Sequence, residues 1–498
     1  MHPHMFRTEE TVTRTSSSMY GTYYHDSKPR LKIQPKLRKI LQIIDDRRVQ
    51  FVENLAEMVA IRSVSGHLKY KNQLQKAVNL TEEWMIKLGI KYERFDIGCY
   101  TLENTTIKRP VCILGSLGKD RNKPTIGVYA HLDVRKPEVS EWKTDPWILT
   151  QVDGNLYGAG VASGKRTLTS WFNVILAFQE NNMNLPVNLK FIIQCLHYYE
   201  HDGFEDFIKR HRQDFLGDIT YIVVSDSEWI GKKRPCLIYG SIGVLHFSCT
   251  IQKCEIAKTC IKNDMERIFS KLHDGNGNVL IQEFNDYVKQ VTPDEEQMYE
   301  NITDFDFEEV RKHLPDHQQS WDKVKLLMSF WRNPSIIVSN TQECTCEDVD
   351  RTIIKKNFTV KIVPRQIVDV TVDQIKKHIK KTRKDLNIKH KVKIKLLSSS
   401  RTWWEDINDI NFKAAARAIL QIYKVEPQFI REDRDLKAVT ILSVVSKKGV
   451  LVWPLGDNTI NAGEANENIG KQNYFDGIKM LSAYLFQISD LLKEKMCN

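Results

Sequence analysis

The sequence predicts an α/β fold, a central sheet sandwiched by helices, interrupted by an inserted α+β unit. Short apolar runs bounded by Gly, Pro, Asn and Asp alternate with helical periodicity through the first half of the chain, and that texture returns near the end. Between the two, beyond Gly243, alternating segments are followed by Lys-rich helices instead. Residues 39–240 and 398–498 are therefore expected to form the main unit and 241–397 the insert. Residues 1–38, rich in Arg, Ser, Thr and Tyr, read as a disordered N-terminal extension; Glu9 and Glu10 argue against a transit segment.

The first helix is marked by Ile40, Ile43, Ile44, Phe51, Leu55, Met58 and Val59, which recur at three- and four-residue steps; a second runs from Leu74 to Leu88. Strands are expected at Val111–Leu114, Ile126–Ala130, Leu189–Leu196, Ile219–Val224 and Leu237–Tyr239, with a helix near Trp171–Gln179. In the insert, Leu245–Ile251 and Phe358–Val363 alternate like strands and Val372–Lys381 like a helix. The return of the first texture predicts a helix at Asn411–Ile422, strands at Val439–Val444 and Val450–Leu455, and a closing amphipathic helix from Asn473 to Leu492.

Composition excludes several classes. The 498 residues are 41% hydrophobic and 27% charged, which fits neither a collagen-like, a coiled-coil nor a wholly disordered chain. No run approaches the roughly 18 apolar residues of a membrane-spanning helix, so no membrane partner is expected. The net charge of +10 permits nucleic acid without implying it. The basic run Lys376–Lys395 lacks a Gly-rich phosphate loop and interleaved aromatics, so it reads as a solvated face and nucleic-acid binding is not expected. Ten cysteines are scattered through apolar runs, the pattern of reduced thiols and a cytoplasmic protein. The close pair Cys344 and Cys346 has no second pair to complete a zinc site.

The strongest local signal is Tyr129-Ala130-His131-Leu132-Asp133, a His and an Asp two apart at the end of an apolar strand. Residues two apart on a strand share a face, so both would serve one site at the strand's carboxyl end. A carboxylate that orients an imidazole is how metal ligands are held, although a structural His satisfied by its neighbours has the same local pattern. Further motifs follow in order: Trp142-x-x-Asp145-Pro146-Trp147, Asp153-Gly154-x-Leu156-Tyr157-Gly158-x-Gly160, Ser225-Asp226-x-x-Trp229-x-Gly231, and Asn473-Tyr474-Phe475-Asp476-Gly477. Together, from Leu41 to Leu492, these resemble the cytosolic non-specific dipeptidase and carnosinase family of di-metal peptidases, relatives of acetylornithine deacetylase and aminoacylase.

The resemblance implies a zinc-exopeptidase-like fold, with the insert as a dimerisation or lid domain. It also implies two divalent ions held by a His of the His-x-Asp motif, a bridging Asp, a Glu from a Glu-Glu pair, the Asp of Ser-Asp and a late His, with the first Glu of the pair as general base. His131, its partner Asp133, and Asp226 match. Ser163 stands at the bridge, His197 at the base, Tyr198 at the Glu ligand and Gly463 at the late His. Without the bridging carboxylate two dications face each other unscreened. At 4 Å each unit-charge pair opposes the arrangement by about 4 kcal/mol at an effective dielectric of 20, and two dications carry four such pairs.

A pseudoenzyme is therefore expected, with no cofactor at full occupancy. The alternative is an active dipeptidase using one zinc or manganese ion on His131 and Asp226, with His197 as a third ligand or Glu200 returning a carboxylate through shared strand parity with Tyr198. Lys361 stands where the family usually has an Arg that meets substrate, a weak match because Lys cannot form the bidentate fork. The family's Gly-rich carboxylate loop is replaced by Asp433-Arg434-Asp435-Leu436-Lys437, and its His-bearing intersubunit segment by Lys253-Cys254-Glu255-Ile256-Ala257. The expected partners are a dipeptide-like ligand and a second chain, as a homodimer or a heterodimer with a related dipeptidase.

Overall fold

Nine strands form one mixed sheet whose middle is parallel. In the computed structural model, which describes residues 33–497 apart from 200–201, 256, 258, 275, 277 and 339–352, the strand order is Lys91–Phe95, Cys112–Leu117, Asn188–Gln194, Thr125–His131, Tyr221–Val224, Gly449–Val452, Cys236–Ser241, Trp403–Trp404, with Gln428–Glu432 also beside Cys236–Ser241. Thr125–His131 lies between Asn188–Gln194 and Tyr221–Val224, parallel to both. Every residue of Thr125–His131 is buried, as expected of a parallel strand covered on both faces. The helices Pro35–Asp46, Gly164–Glu180, Ile410–Tyr423 and Lys471–Cys497 pack on one another and share a hydrophobic core with the sheet.

A second, antiparallel sheet has the order Ser335–Val338, Ile353–Ile362, Gly243–Gln252, Lys391–Ser399. Alternation along Gly243–Gln252 turns Leu245, Phe247, Cys249 and Ile251 into a separate core with helices Ile261–Phe269 and Val368–Asp385. Lys391, Lys393 and Lys395 alternate outward along the edge strand, and Lys376, Lys377, Lys380 and Lys381 are exposed on the helix, as a solvated face requires. The stretch that carries helices Pro293–Glu300 and Lys323–Trp331, inside the span read as an insert, instead sends Met298, Tyr299, Leu327 and Trp331 into the main core.

Three expectations need correction. Val439–Val444 is not a strand but part of helix Lys437–Ser446. A short unbroken apolar run suits either element, and here burial of Ala438, Val439, Ile441, Leu442 and Val445 follows helical spacing while Val444 stays exposed. The N-terminal extension ends before residue 38: helix Pro35–Asp46 opens with proline in its first turn and buries Leu37 and Ile40. The strand expected to reach Leu196 stops at Gln194, so His197 and Tyr198 lie in a turn and the parity argument for Glu200 does not apply. Glu200, Cys344, Cys346 and residues 1–32 lie outside the described residues.

Candidate metal centre

Three neighbouring parallel strands deliver the site. His131 ends Thr125–His131, His197 follows Asn188–Gln194 by three residues, and Asp226 follows Tyr221–Val224 by two. All three side chains meet outside the carboxyl ends of the strands, where parallel sheets bind ligands. Asp226 Oδ2 lies 3.8 Å from His131 Nε2 and 4.0 Å from His197 Nε2, and the two imidazoles stack at 4.2 Å with 12° between their planes. The three donor atoms fall within 4.8 Å of one another.

Hydrogen bonds fix which nitrogen faces inward. His131 Nδ1 donates to the Asp133 carbonyl at 3.0 Å, leaving Nε2 as the lone-pair side. The Tyr129 hydroxyl donates to Gln194 Oε1 at 2.8 Å, so its oxygen accepts from His197 Nδ1 at 2.9 Å, and His197 turns Nε2 toward Asp226. The Asp133 carboxylate accepts the backbone N–H groups of His197 and Tyr198, each at 3.0 Å, and holds their turn against the strand end. At Asp226, Oδ1 accepts from the Ser227 N–H at 2.9 Å, with Ser227 itself at φ +71°, a left-handed conformation unusual outside glycine.

Charge follows that geometry. Burial opposes an imidazolium at His131, yet Asp133 and Asp226 outweigh it and raise its pKa. Burial likewise opposes the Asp226 carboxylate, and the two histidines outweigh it and lower its pKa. His131 Nε2 is buried and has no hydrogen-bond partner among the described residues. Two imidazole nitrogens and one carboxylate oxygen around an orphaned nitrogen fit a single divalent ion such as zinc.

The described residues do not fit a second ion. Ser163, Tyr198 and Gly463 do come together, at the Tyr198 hydroxyl: it bonds with Ser163, and a Cβ on Gly463 would meet it at 3.4 Å. The Arg135 guanidinium covers the Tyr198 ring at 5.1 Å, and its Cδ would meet that same Cβ at 3.3 Å. Burial pushes the Tyr198 phenol above its ordinary pKa, so it stays a neutral hydroxyl. The carboxylate of Glu467 is near, but it accepts the Gly160 and Ala162 N–H groups, each at 2.9 Å, and burial raises its pKa.

Sequence reasoning missed Tyr129, Lys165, Arg166 and Glu467. The readable signal was two adjacent cations opening helix Gly164–Glu180, whose residues 164–178 are all buried. Lys165 Nζ donates to the Ile61 carbonyl at 2.7 Å, and burial pushes its pKa down to about 7. Arg166 Nη2 donates to the Ser225 carbonyl at 3.1 Å. The helix can approach because residue 164 is glycine: a Cβ there would lie 2.0 Å from the His131 carbonyl.

Lys361 is not brought to the cluster. Its ammonium donates to the Ser329 and Phe330 carbonyls, at 2.6 and 3.4 Å, near the end of helix Lys323–Trp331. A cavity of about 380 Å³ opens beside the three donors, walled by Arg135, Tyr198, Ser227, Arg434 and Lys437 among others.

The fold and this donor cluster define a metallopeptidase-type site. The profile of Peptidase family M20/M25/M40 matches residues 127–487, and the chain belongs to that family. It is 30% identical over 474 residues to the Beta-Ala-His dipeptidase of Rattus norvegicus, covering 91% of this chain and 96% of the relative. The Cys-Gly metallodipeptidase of Schizosaccharomyces pombe is 27% identical over 472 residues, covering 91% and 99%. Among solved structures, human carnosine dipeptidase 1 superposes with a TM-score of 0.78 at 27% identity, covering 92% of this chain and 100% of that one. A dipeptidase from Saccharomyces cerevisiae gives 0.77 at 25%, covering 91% and 98%. Among the described residues no helix is long and apolar enough to cross a membrane.

Proposed function

We propose that this protein is a dipeptidase-fold pseudoenzyme that binds one divalent ion and a dipeptide-sized ligand without hydrolysing peptides at its relatives' rate. One observation carries the reading: among the described residues no free carboxylate stands where a general base is needed. His197 occupies that place, with Nδ1 engaged by Tyr129 and Nε2 turned to Asp226, while both oxygens of Asp133 and of Glu467 accept backbone N–H groups. Loss of a general base alone lowers rates by about 10² to 10⁴. The test is hydrolysis of β-alanyl-histidine and cysteinyl-glycine by the purified chain with zinc or manganese supplied. No turnover is expected, and turnover typical of an active dipeptidase overturns the reading.

A second reading, a one-ion dipeptidase, is favoured by the three converging donors. It requires metal-dependent hydrolysis that disappears in His131→Ala. The reading extends to a cytoplasmic protein, consistent with free buried thiols at Cys112, Cys195, Cys236 and Cys249. It also extends to a homodimer, or a heterodimer with a related dipeptidase, through the four-stranded sheet unit. Co-purification and light scattering test the assembly.

A further inference from the structure

Arg166 is fully buried, yet its Nε and Nη1 have no hydrogen-bond partner among the described residues. A hydrogen bond from Nη2 ties it to the carbonyl of Ser225, the residue before Asp226, and the neighbouring Thr167 hydroxyl donates to the same oxygen at 2.7 Å. The guanidinium is thereby anchored on the strand end that supplies the metal-binding carboxylate. Nη1 lies 3.3 Å from where a Cβ on Gly456 would sit, so backbone closes that side. A buried cation left with open N–H groups is costly unless nearby charge offsets it. The carboxylates placed to do so are Asp226 and Glu467, whose fields act on the guanidinium against the desolvation that lowers its pKa to about 10.

Those carboxylates are also what a metal ion would draw on. A fixed positive charge that competes for Asp226 repels any cation seated among His131, His197 and Asp226, and it repels a second cation beside the first still more. Beside it Ser163, Tyr198 and Gly463 bring hydroxyls and a bare backbone, with no carboxylate side chain of their own, to that place. We propose that Arg166 is a built-in cation of the His131–His197–Asp226 site that confines it to a single divalent ion and weakens the hold on that ion. This rests on the one-ion site above, though not on whether that site hydrolyses anything.

The experiment is calorimetric titration of the full chain with Mn²⁺ and with Zn²⁺, with elemental analysis after dialysis. Arg166→Gln and Arg166→Met are expected to bind Mn²⁺ at least about tenfold more tightly than the wild type, while Arg166→Lys, which keeps the charge, stays near it. Where the wild type takes up no measurable ion, Arg166→Gln must bring one. Adding His131→Ala to Arg166→Gln must abolish the gain. Unchanged affinity in the folded uncharged variants, or two ions per wild-type chain, overturns the proposal.

Ser163→Asp guards against a folding failure at Arg166, because Ser163 is the N-cap of its helix and Asp is favoured there. With Arg166 in place that variant is expected to take up one ion, and two overturn the proposal. Peptide turnover by a one-ion wild type would overturn the proposed function and leave this inference standing; an unaltered titration in the Arg166 variants would do the reverse.

Discussion

Two buried charged centres in this protein are built in opposite ways. In one, Glu295 Oε1 accepts from the Tyr299 hydroxyl at 2.7 Å and sits 3.1 Å from Arg332 Nε and 3.3 Å from Arg431 Nη2, all nearly inaccessible. This centre joins helix Pro293–Glu300 and Arg332, just past helix Lys323–Trp331, to strand Gln428–Glu432. In the other, His131, His197 and Asp226 point at one another across 3.8 and 4.0 Å, too far to hydrogen-bond, beside an open cavity. The first centre gathers its side chains on one carboxylate that holds elements together, while Arg332 Nε and Nη1 make no hydrogen bond among the described residues. The second leaves His131 Nε2 without a hydrogen-bond partner among the described residues, while the outer sides of both imidazoles are fastened by Tyr129 and Asp133. Neither buried charge nor an unsatisfied donor in itself marks a binding site; metal-ligating atoms that converge on a common point beside a cavity do.

That contrast can be broken most forcefully at Glu295. Glu295→Ala leaves two buried guanidiniums without their shared carboxylate and is expected to destabilise the fold by about 3–5 kcal/mol in urea unfolding. A loss under about 1 kcal/mol would mean the centre is not structural. Tyr129→Phe acts on the other centre: it removes the acceptor that orients His197 and is expected to weaken metal binding by about 10- to 100-fold, with the unfolding midpoint little changed. Equal metal affinity in the variant would show that His197 is not held as a ligand. Lys361→Met should cost about 1 kcal/mol through the lost bonds to the Ser329 and Phe330 carbonyls and leave peptide binding intact. Loss of binding at full stability would return Lys361 to the substrate site.

The smallest effect concerns pH. Burial raises the Glu405 carboxyl to about 7 from an ordinary 4.5, although Val450 N–H, Trp403 Nε1 and the Ser443 hydroxyl all donate to it. The folded state therefore binds this proton more readily than the unfolded state. Its contribution to stability is complete below pH 4.5 and is lost as pH rises through about 7. Glu405→Gln, which stays neutral, should flatten the dependence of Tm on pH between 5 and 8; identical slopes would show that Glu405 does not titrate in that window.

Legibility in the sequence followed the range of the interactions involved. Ile126–Ala130 reads as a buried strand because apolar runs bounded by turn residues have few other uses; His131 reads as a candidate ligand because, with Asp133, it ends such a run, and Asp226 through the resemblance of its Ser-Asp motif. Val439–Val444 was misread because a run of that length suits a strand or a helix, and only the neighbours against which Leu442 and Val445 pack decide between them. Nothing within a few positions of Arg166 reports that the Ser225 carbonyl will receive it.

The sequence alone determined the alternating layers and the family, because these depend on residue type and local spacing. Tertiary structure decided that His197 turns toward Asp226, that the Tyr198 hydroxyl bonds Ser163 with Gly463 beside it, and that a guanidinium lies sealed behind the site. Those outcomes depend on how strands far apart in the chain register side by side, which sets distances of a few ångströms that no short stretch of sequence specifies.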